Sequence, residues 1–310
     1  MTLRSAGFGS ALPASVREYF NAAYAASARA RSDDDALRVP PVPVIFSAQD
    51  GASWPVKDQG ERATCSAFAA VAMMERFRAK QGEKPEHLSE QFLYYLMRHT
   101  LSSKQNPAPG AELGATRLSE AREVLEGYGV CASDHLTYGA KATADINGEP
   151  PSPAAFSDAQ TRLHRDFDSA DYPTADKRVP GLAKRLHAIL LEGRPVAVAV
   201  PTFMIAPKTT NWKAAQAGYA GIVYCPIDAA VASAGMDPTP DNGHAVCLVG
   251  FQVDPSEPLG GWFMFRNSWN SYFATRPDEA GTPFAAPAVG YGVLSATQIE
   301  HYVWEFLSAI

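Results

Sequence analysis

The apolar periodicity of the chain changes character once along its length, and that change limits the folds open to it. Up to about residue 130, apolar residues recur at helical spacing in CSAFAAVAMMERFRAKQG, HLSEQFLYYLMRHTL and ATRLSEAREVLEGYG. A fourth helical segment, GLAKRLHAILLEG, runs directly into the strand-like PVAVAV. Thereafter the pattern is that of strands, HAVCLVGFQV, GWFMFRNSW and GYGVL, separated by turn-rich stretches. Helices first and strands last predict an α+β fold, with a helical lobe over about 54–140 and an antiparallel sheet or barrel lobe over about 181–300. There is no internal repeat.

Local signals sharpen this frame. Between Cys65 and Met74 only Ser66 is polar, so the first helix is expected to be buried on nearly every side, with Gly82 as its stop. Ser89 suits the N-cap of the second helix, and Leu88 is placed to staple against Leu93. Leu118, Ala121 and Leu125 share a face of the third, which Gly127 or Gly129 ends. The stretch from Lys141 to Pro180, rich in Pro, Ala and Asp, reads as an irregular connection with a helix near Ala155 to Asp166. Residues 1–40 form an Ala-rich arm ending in SDDDALRVPPVP, and the main domain is expected over 41–310. Within the arm Val16, Phe20, Ala23 and Ser27 fall on one helical face. Two readings of it stand: it covers or regulates a cleft, or it packs as a terminal helix on the surface.

Charge and composition exclude several classes of function. A formal charge of -6 repels nucleic acid and anionic lipid, and the densest basic stretch, Arg29 to Arg31, runs straight into Asp33, Asp34 and Asp35. No apolar run approaches the roughly 20 residues of a membrane helix, so neither nucleic acid nor membrane is expected as a partner. The first residues lack a secretory apolar stretch, which points to the cytoplasm or a signal-less route of export. Four cysteines without a C-x-x-C pair make neither a disulfide framework nor a zinc site, so no metal is expected and a reduced compartment fits. The abundance of Ala, and of Arg over Lys, suggests a bacterial gene.

One cysteine stands apart. Cys65 opens the buried helix immediately after the polar turn VKDQGERAT, where free backbone N–H groups and the helix dipole favour a thiolate. A cysteine can equally be a small buried hydrophobe. A thiolate nucleophile needs a proton carrier and a group to orient that carrier. Of seven histidines, His244 alone follows a turn, PTPDNG, and opens an apolar strand. Asn267 closes the next strand, where adjacent antiparallel strands bring its amide to the imidazole; the other reading of Asn267 is a turn former.

Four blocks in order then resemble the papain-like cysteine peptidases, and the compact bacterial members in particular. They are Gln59 and Gly60 before Cys65, Ala67 and Phe68; Leu88 to Gln91; Gly243 to Val246 leading to Val249 and Gly250; and Asn267, Ser268 and Trp269 followed by Gly290 to Gly292. The resemblance implies a two-lobed fold, a helical left lobe and a β-barrel-like right lobe with the active site in the cleft between them. It implies Cys65 as nucleophile and His244 as general acid/base, resting as a thiolate-imidazolium pair. Asn267 would fix the imidazole tautomer, Trp269 would shield that bond, and Gln59 with the Cys65 N–H would form the oxyanion hole. Gly114 and Ala115 would hold an extended peptide by strand-like pairing, beside Gly243 and Trp269. The expected activity is cleavage of peptide or protein substrates without a cofactor, through an acyl-enzyme. The alternatives are a silent peptide-binding module, or an acyl-transferring or deconjugating enzyme. Departures from the family pattern are Arg62 where many relatives carry a disulfide cysteine, Ser66 where an aromatic is usual, Asn270 and Phe273 after Trp269, and an insertion over Ala274 to Val289.

Overall fold

The computed structural model describes residues 17, 18, 20, 36–44, 54–108, 110–139, 146–172, 180–228, 236–237, 239–279 and 286–310. From residue 54 to 172 the described residues hold the helices α1 (Cys65–Lys80), α2 (Glu90–Met97), α3 (Leu101–Gln105), α4 (Leu118–Gly127) and α5 (Pro153–Gln160). Strand β1 (Phe167–Asp171) and α6 (Leu182–Leu191) lead into β2 (Val196–Ala206), β3 (Thr209–Thr210), α7 (Ala215–Ala220), β4 (Pro240–Val253), β5 (Gly261–Arg266), β6 (Tyr291–Ser295), α8 (Ala296–Tyr302) and β7 (Glu305–Ala309). The strands pair antiparallel in one seven-stranded sheet in the order β1-β7-β2-β4-β5-β6, with β3 attached to β2. This is the expected α+β division into a helical lobe and a sheet lobe.

Helix α1 explains the arrangement. Every residue from Cys65 to Phe77 is buried because the helix packs against β4 and β2 on one side and against α2 and α4 on the other. A helix enclosed by both lobes needs no polar face, which is why its apolar residues show no stripe. Its buried charges are paired: Glu75 accepts from Lys57 Nζ at 2.7 Å and from the Leu88 amide at 2.9 Å, and its other oxygen lies 3.4 Å from Arg266 Nη1. Lys57 also meets Glu90 at 2.5 Å, so one ionic cluster joins the turn before α1, α1, α2 and the end of β5. Such a cluster resists separation, since removing one partner leaves a buried charge uncompensated.

The caps fall as the residues dictate. Ser89 Oγ accepts from Phe92 N, and Gly129, at φ +77°, follows the end of α4. The connection over 141–180 holds α5, capped by Ser152, and the unforeseen strand β1. Strands β1 and β7 lie outside the 181–300 stretch where strands were expected, yet β7 sits inside the sheet between β1 and β2. Of the expected arm helix, Arg17, Glu18 and Phe20 are described and helical; Val16, Ala23 and Ser27 lie outside the described residues. Phe20 is fully buried with ring centroids 5.0 Å from Tyr302 and 6.3 Å from Trp304.

Candidate active site

Strands β4 and β5 carry the imidazole and its partner. In their ladder Cys247 faces Arg266, so continuing the register sets Asn267 opposite Val246, diagonal to His244 and on the same face. The diagonal is closed by a hydrogen bond of 2.8 Å between His244 Nε2 and Asn267 Oδ1. Asn267 is held in turn: its backbone N–H donates to Gly290 O at 3.1 Å, and Oδ1 also accepts from Ser268 N at 2.8 Å. Gly290 stands at φ +82°, and a Cβ there would lie 2.7 Å from Val56 Cγ2, so the turn that supports Asn267 requires glycine. With Nε2 committed to Asn267, Nδ1 is the ring nitrogen that could exchange a proton with a thiol.

His244 is wholly buried, and burial holds its pKa down to about 4, with the Asn267 bond opposing the shift. The ring is enclosed by aromatics: Trp269 lies 4.8 Å away at 33° and Trp212 4.6 Å away at 74°. An imidazolium in such an enclosure is favoured only when a negative charge accompanies it.

Cys65 is the first residue of α1, which packs on β4, the strand bearing His244. The helix start has neither a side-chain cap nor an acidic residue in its first turn. Thr64, at the cap position, shares its hydroxyl with Tyr138 at 2.7 Å, so the positive end of the helix remains available to the sulfur. Cys65, Cys131, Cys225 and Cys247 are all buried, and none is joined in a disulfide.

The turn before Cys65 is stitched to the loop after Asn267. Gln59 N donates to Ser268 O at 2.9 Å, and Asn270 N to Lys57 O at 3.2 Å. The Gln59 amide is oriented at both ends, Oε1 accepting from Ser268 Oγ at 2.5 Å and Nε2 donating to Arg62 O at 2.9 Å. Arg62 is buried and donates to Gln91 Oε1 at 2.7 Å and Gly139 O at 3.1 Å. Its guanidinium also lies 4.7 Å from the Tyr138 ring centroid and 5.1 Å from that of Tyr94.

Ser66 Oγ donates to Thr116 O at 3.0 Å, which brings the Gly114–Ala115 segment beside the start of α1. Gly114 adopts φ +96°, and its carbonyl accepts from Tyr94 Oη at 2.9 Å. The amides of Gly114 and Ala115 donate to Ala111 O and Gly110 O, and Ala115 O receives a long contact of 3.5 Å from Arg98. The backbone groups expected to pair with substrate are therefore engaged internally, Ala115 O most weakly. Gly243 lies on β4 opposite Pro201. The part of the insertion that is described is fastened to α7, through Thr275 N to Gly218 O at 3.0 Å and Arg276 N to Tyr219 O at 2.8 Å.

Sequence reasoning passed over Trp212, Ser268, Tyr94 and Tyr138. Ser268 was visible inside its motif, but Trp212 lies in NWKAAQAGY, where nothing local signals a role. Among the described residues no cluster of three or more His, Cys, Asp or Glu side chains is placed to hold a metal, and no helix is long and apolar enough to cross a membrane.

The division into lobes is that of the papain-like fold. Xylellain, a cysteine protease from Xylella fastidiosa, is similar with a TM-score of 0.61 and 18% identity over 100% of this chain and 97% of that one. The proform of Amb a 11, a cysteine protease and ragweed pollen allergen, gives 0.55 and 17% over 97% and 71%. Digestive procathepsin L 3 of Tenebrio molitor gives 0.53 and 17% over 94% and 79%. Similarity at this identity establishes the fold. No curated protein matches the chain. The model of the papain family of cysteine proteases matches residues 42–276, and the chain belongs to that family. It is a cysteine-type peptidase, a hydrolase.

Proposed function

We propose that the protein hydrolyses peptide bonds through Cys65, His244 and Asn267. The Cys65 thiolate attacks the scissile carbonyl, whose oxygen takes up negative charge toward Gln59 Nε2 and the Cys65 N–H. His244 Nδ1 then gives its proton to the departing amine, leaving a thioester on Cys65. Water, losing a proton to the same nitrogen, hydrolyses the thioester and restores the thiolate. Asn267 keeps Nε2 occupied so that Nδ1 faces the sulfur through both halves. The observation that carries this reading is the 2.8 Å bond between His244 on β4 and Asn267 just past the end of β5, with α1, opened by Cys65, packed against β4.

The peptide is read as lying along Ala115 and Gly243 with Trp269 at its departing end, and Gly114 supplies the turn that presents Ala115. Pairing at Ala115 exchanges its long contact from Arg98 for a bond to substrate. The arm of residues 1–40 is read as a restraint on the site within a peptidase domain of 41–310. Arg17 donates to Pro240 O, and to Asp241 O at 2.9 Å, on the same strand as His244 and just before it. A chain beginning near Arg38 is then expected to hydrolyse peptides faster than the full chain, and equal rates would contradict the restraint.

Hydrolysis of a mixed fluorogenic peptide library under reducing conditions tests the central reading. Turnover by the full or trimmed chain, abolished in Cys65→Ala, is the expected result. Silence from both chains would favour peptide binding without turnover, and product masses with an added amine would show acyl transfer in place of hydrolysis.

A further inference from the structure

His244 is flanked by two indoles, and only Trp269 belongs to a motif. Trp212 comes from the single helical turn Asn211–Lys213 that follows β3. It is fully buried, stands edge-to-face to the imidazole at 4.6 Å and 74°, and donates its Nε1 to Pro201 O at 3.4 Å. Pro201 is the residue paired with Gly243 in the β2–β4 ladder, so the indole bridges from the neighbouring strand to the ring beside it. The turn itself is locked: Asn211 Oδ1 accepts from Phe203 N at 2.9 Å, and Nδ2 donates to Tyr224 O at 2.7 Å. Behind Trp212 lie Phe265 at 5.4 Å and Phe273 at 6.4 Å.

A histidine ring held to an asparagine by one edge can turn about its Cβ–Cγ bond. A half-turn would carry the proton-exchanging nitrogen away from the thiol, and doing so sweeps out the volume on either face. Trp269 lies closer to parallel with the imidazole, whereas Trp212 stands nearly perpendicular to it and occupies that volume. We infer that Trp212 is a positioning residue for the reaction, blocking rotation of the His244 ring and keeping water from its face. The low pKa of His244 fits this enclosure, since burial is its largest cause and the Asn267 bond opposes it. Cys65 is the other titratable group of the site.

The inference rests on reading His244 as the proton carrier. Its test compares Trp212→Leu, which keeps apolar volume without a ring, with Trp212→Phe, which keeps a ring. Kinetics on a peptide cleaved by the parent chain are measured for each. The His244 ring is also titrated by NMR with Cys65→Ser added, so that no thiolate is present. For Trp212→Leu we expect kcat to fall about tenfold or more while KM stays within about twofold. Its imidazole should titrate at least about one unit above the parent, toward 6.5. Trp212→Phe should recover most of both. Parental kcat and titration in Trp212→Leu, or a Phe variant no better than Leu, would overturn the inference. Should Trp212→Leu fail to fold, Trp212→Met replaces it with the same expectations. Unchanged hydrolysis in Cys65→Ala would instead overturn the proposed function, and the titration reads Trp212 separately from that.

Discussion

His244 shows how burial and pairing decide a residue's chemistry. Alone in its aromatic enclosure the imidazole is neutral at neutral pH, with a pKa of about 4. In the proposed mechanism an imidazolium there depends on a thiolate, so Cys65 and His244 would act only as a pair, with Asn267 selecting the nitrogen that exchanges the proton. Asn267→Ala removes that control and leaves Cys65 and His244 present. We expect kcat/KM to fall about 10²-fold, mostly in kcat, because a misdirected ring is a geometric error and leaves substrate contacts in place. Steady-state kinetics check this, and a loss confined to KM would contradict it. The candidates for this pair stand out in the sequence because each stands at a junction: Cys65 where a polar turn meets an apolar helix, His244 where a turn meets a strand. Trp212 was not legible, because its role comes from a cross-strand contact that no local pattern records.

At the scale of elements, the helices declared themselves through spacing and caps, and α1 through its lack of any polar face. Strands β1 and β7 and helices α3, α7 and α8 were missed. HYVWEFLSA carries a glutamate at a position that is buried in the sheet, and a charge there argues against a strand until its partners are known. The Arg62 joint was hidden for the same reason, since an arginine in a polar turn reads as solvent-exposed. Its guanidinium ties the turn before α1 to Gln91 on α2 and to the backbone at Gly139 and Asn147. Arg62→Ala removes the guanidinium donor from Gln91 Oε1 and Gly139 O and is expected to cost about 2–3 kcal/mol. A denaturant midpoint unchanged at constant slope would show that the joint carries no stability.

At the scale of the molecule, the lobes are joined by buried charge as well as by apolar packing. Glu305 on β7 reaches the first turn of α4, accepting from Leu118 N at 3.1 Å and Ser119 Oγ at 2.9 Å. Burial first, and then the negative Asp171 across the ladder, push its carboxyl up from 4.5 to about 8. A carboxyl whose pKa is higher in the folded state contributes stability that is complete below the unfolded value. That stability is lost as pH rises through the folded one. Glu305→Gln is therefore expected to gain on the parent chain as pH rises from 6 to about 9, read from denaturant unfolding at each pH. A difference that stays constant over that range would contradict the assignment. The division into lobes was readable from the order of periodicities, whereas these ties between lobes were not, because each joins residues far apart in the chain.

The measurement closest to the central claim is labelling by a thiol-directed epoxide under reducing conditions, mapped by mass spectrometry in the parent chain and in His244→Ala. One equivalent on Cys65, little on Cys131, Cys225 or Cys247, and loss of that reaction in His244→Ala is the predicted result. Labelling spread over several cysteines, or a Cys65 reaction indifferent to His244, would contradict the pairing of nucleophile and imidazole.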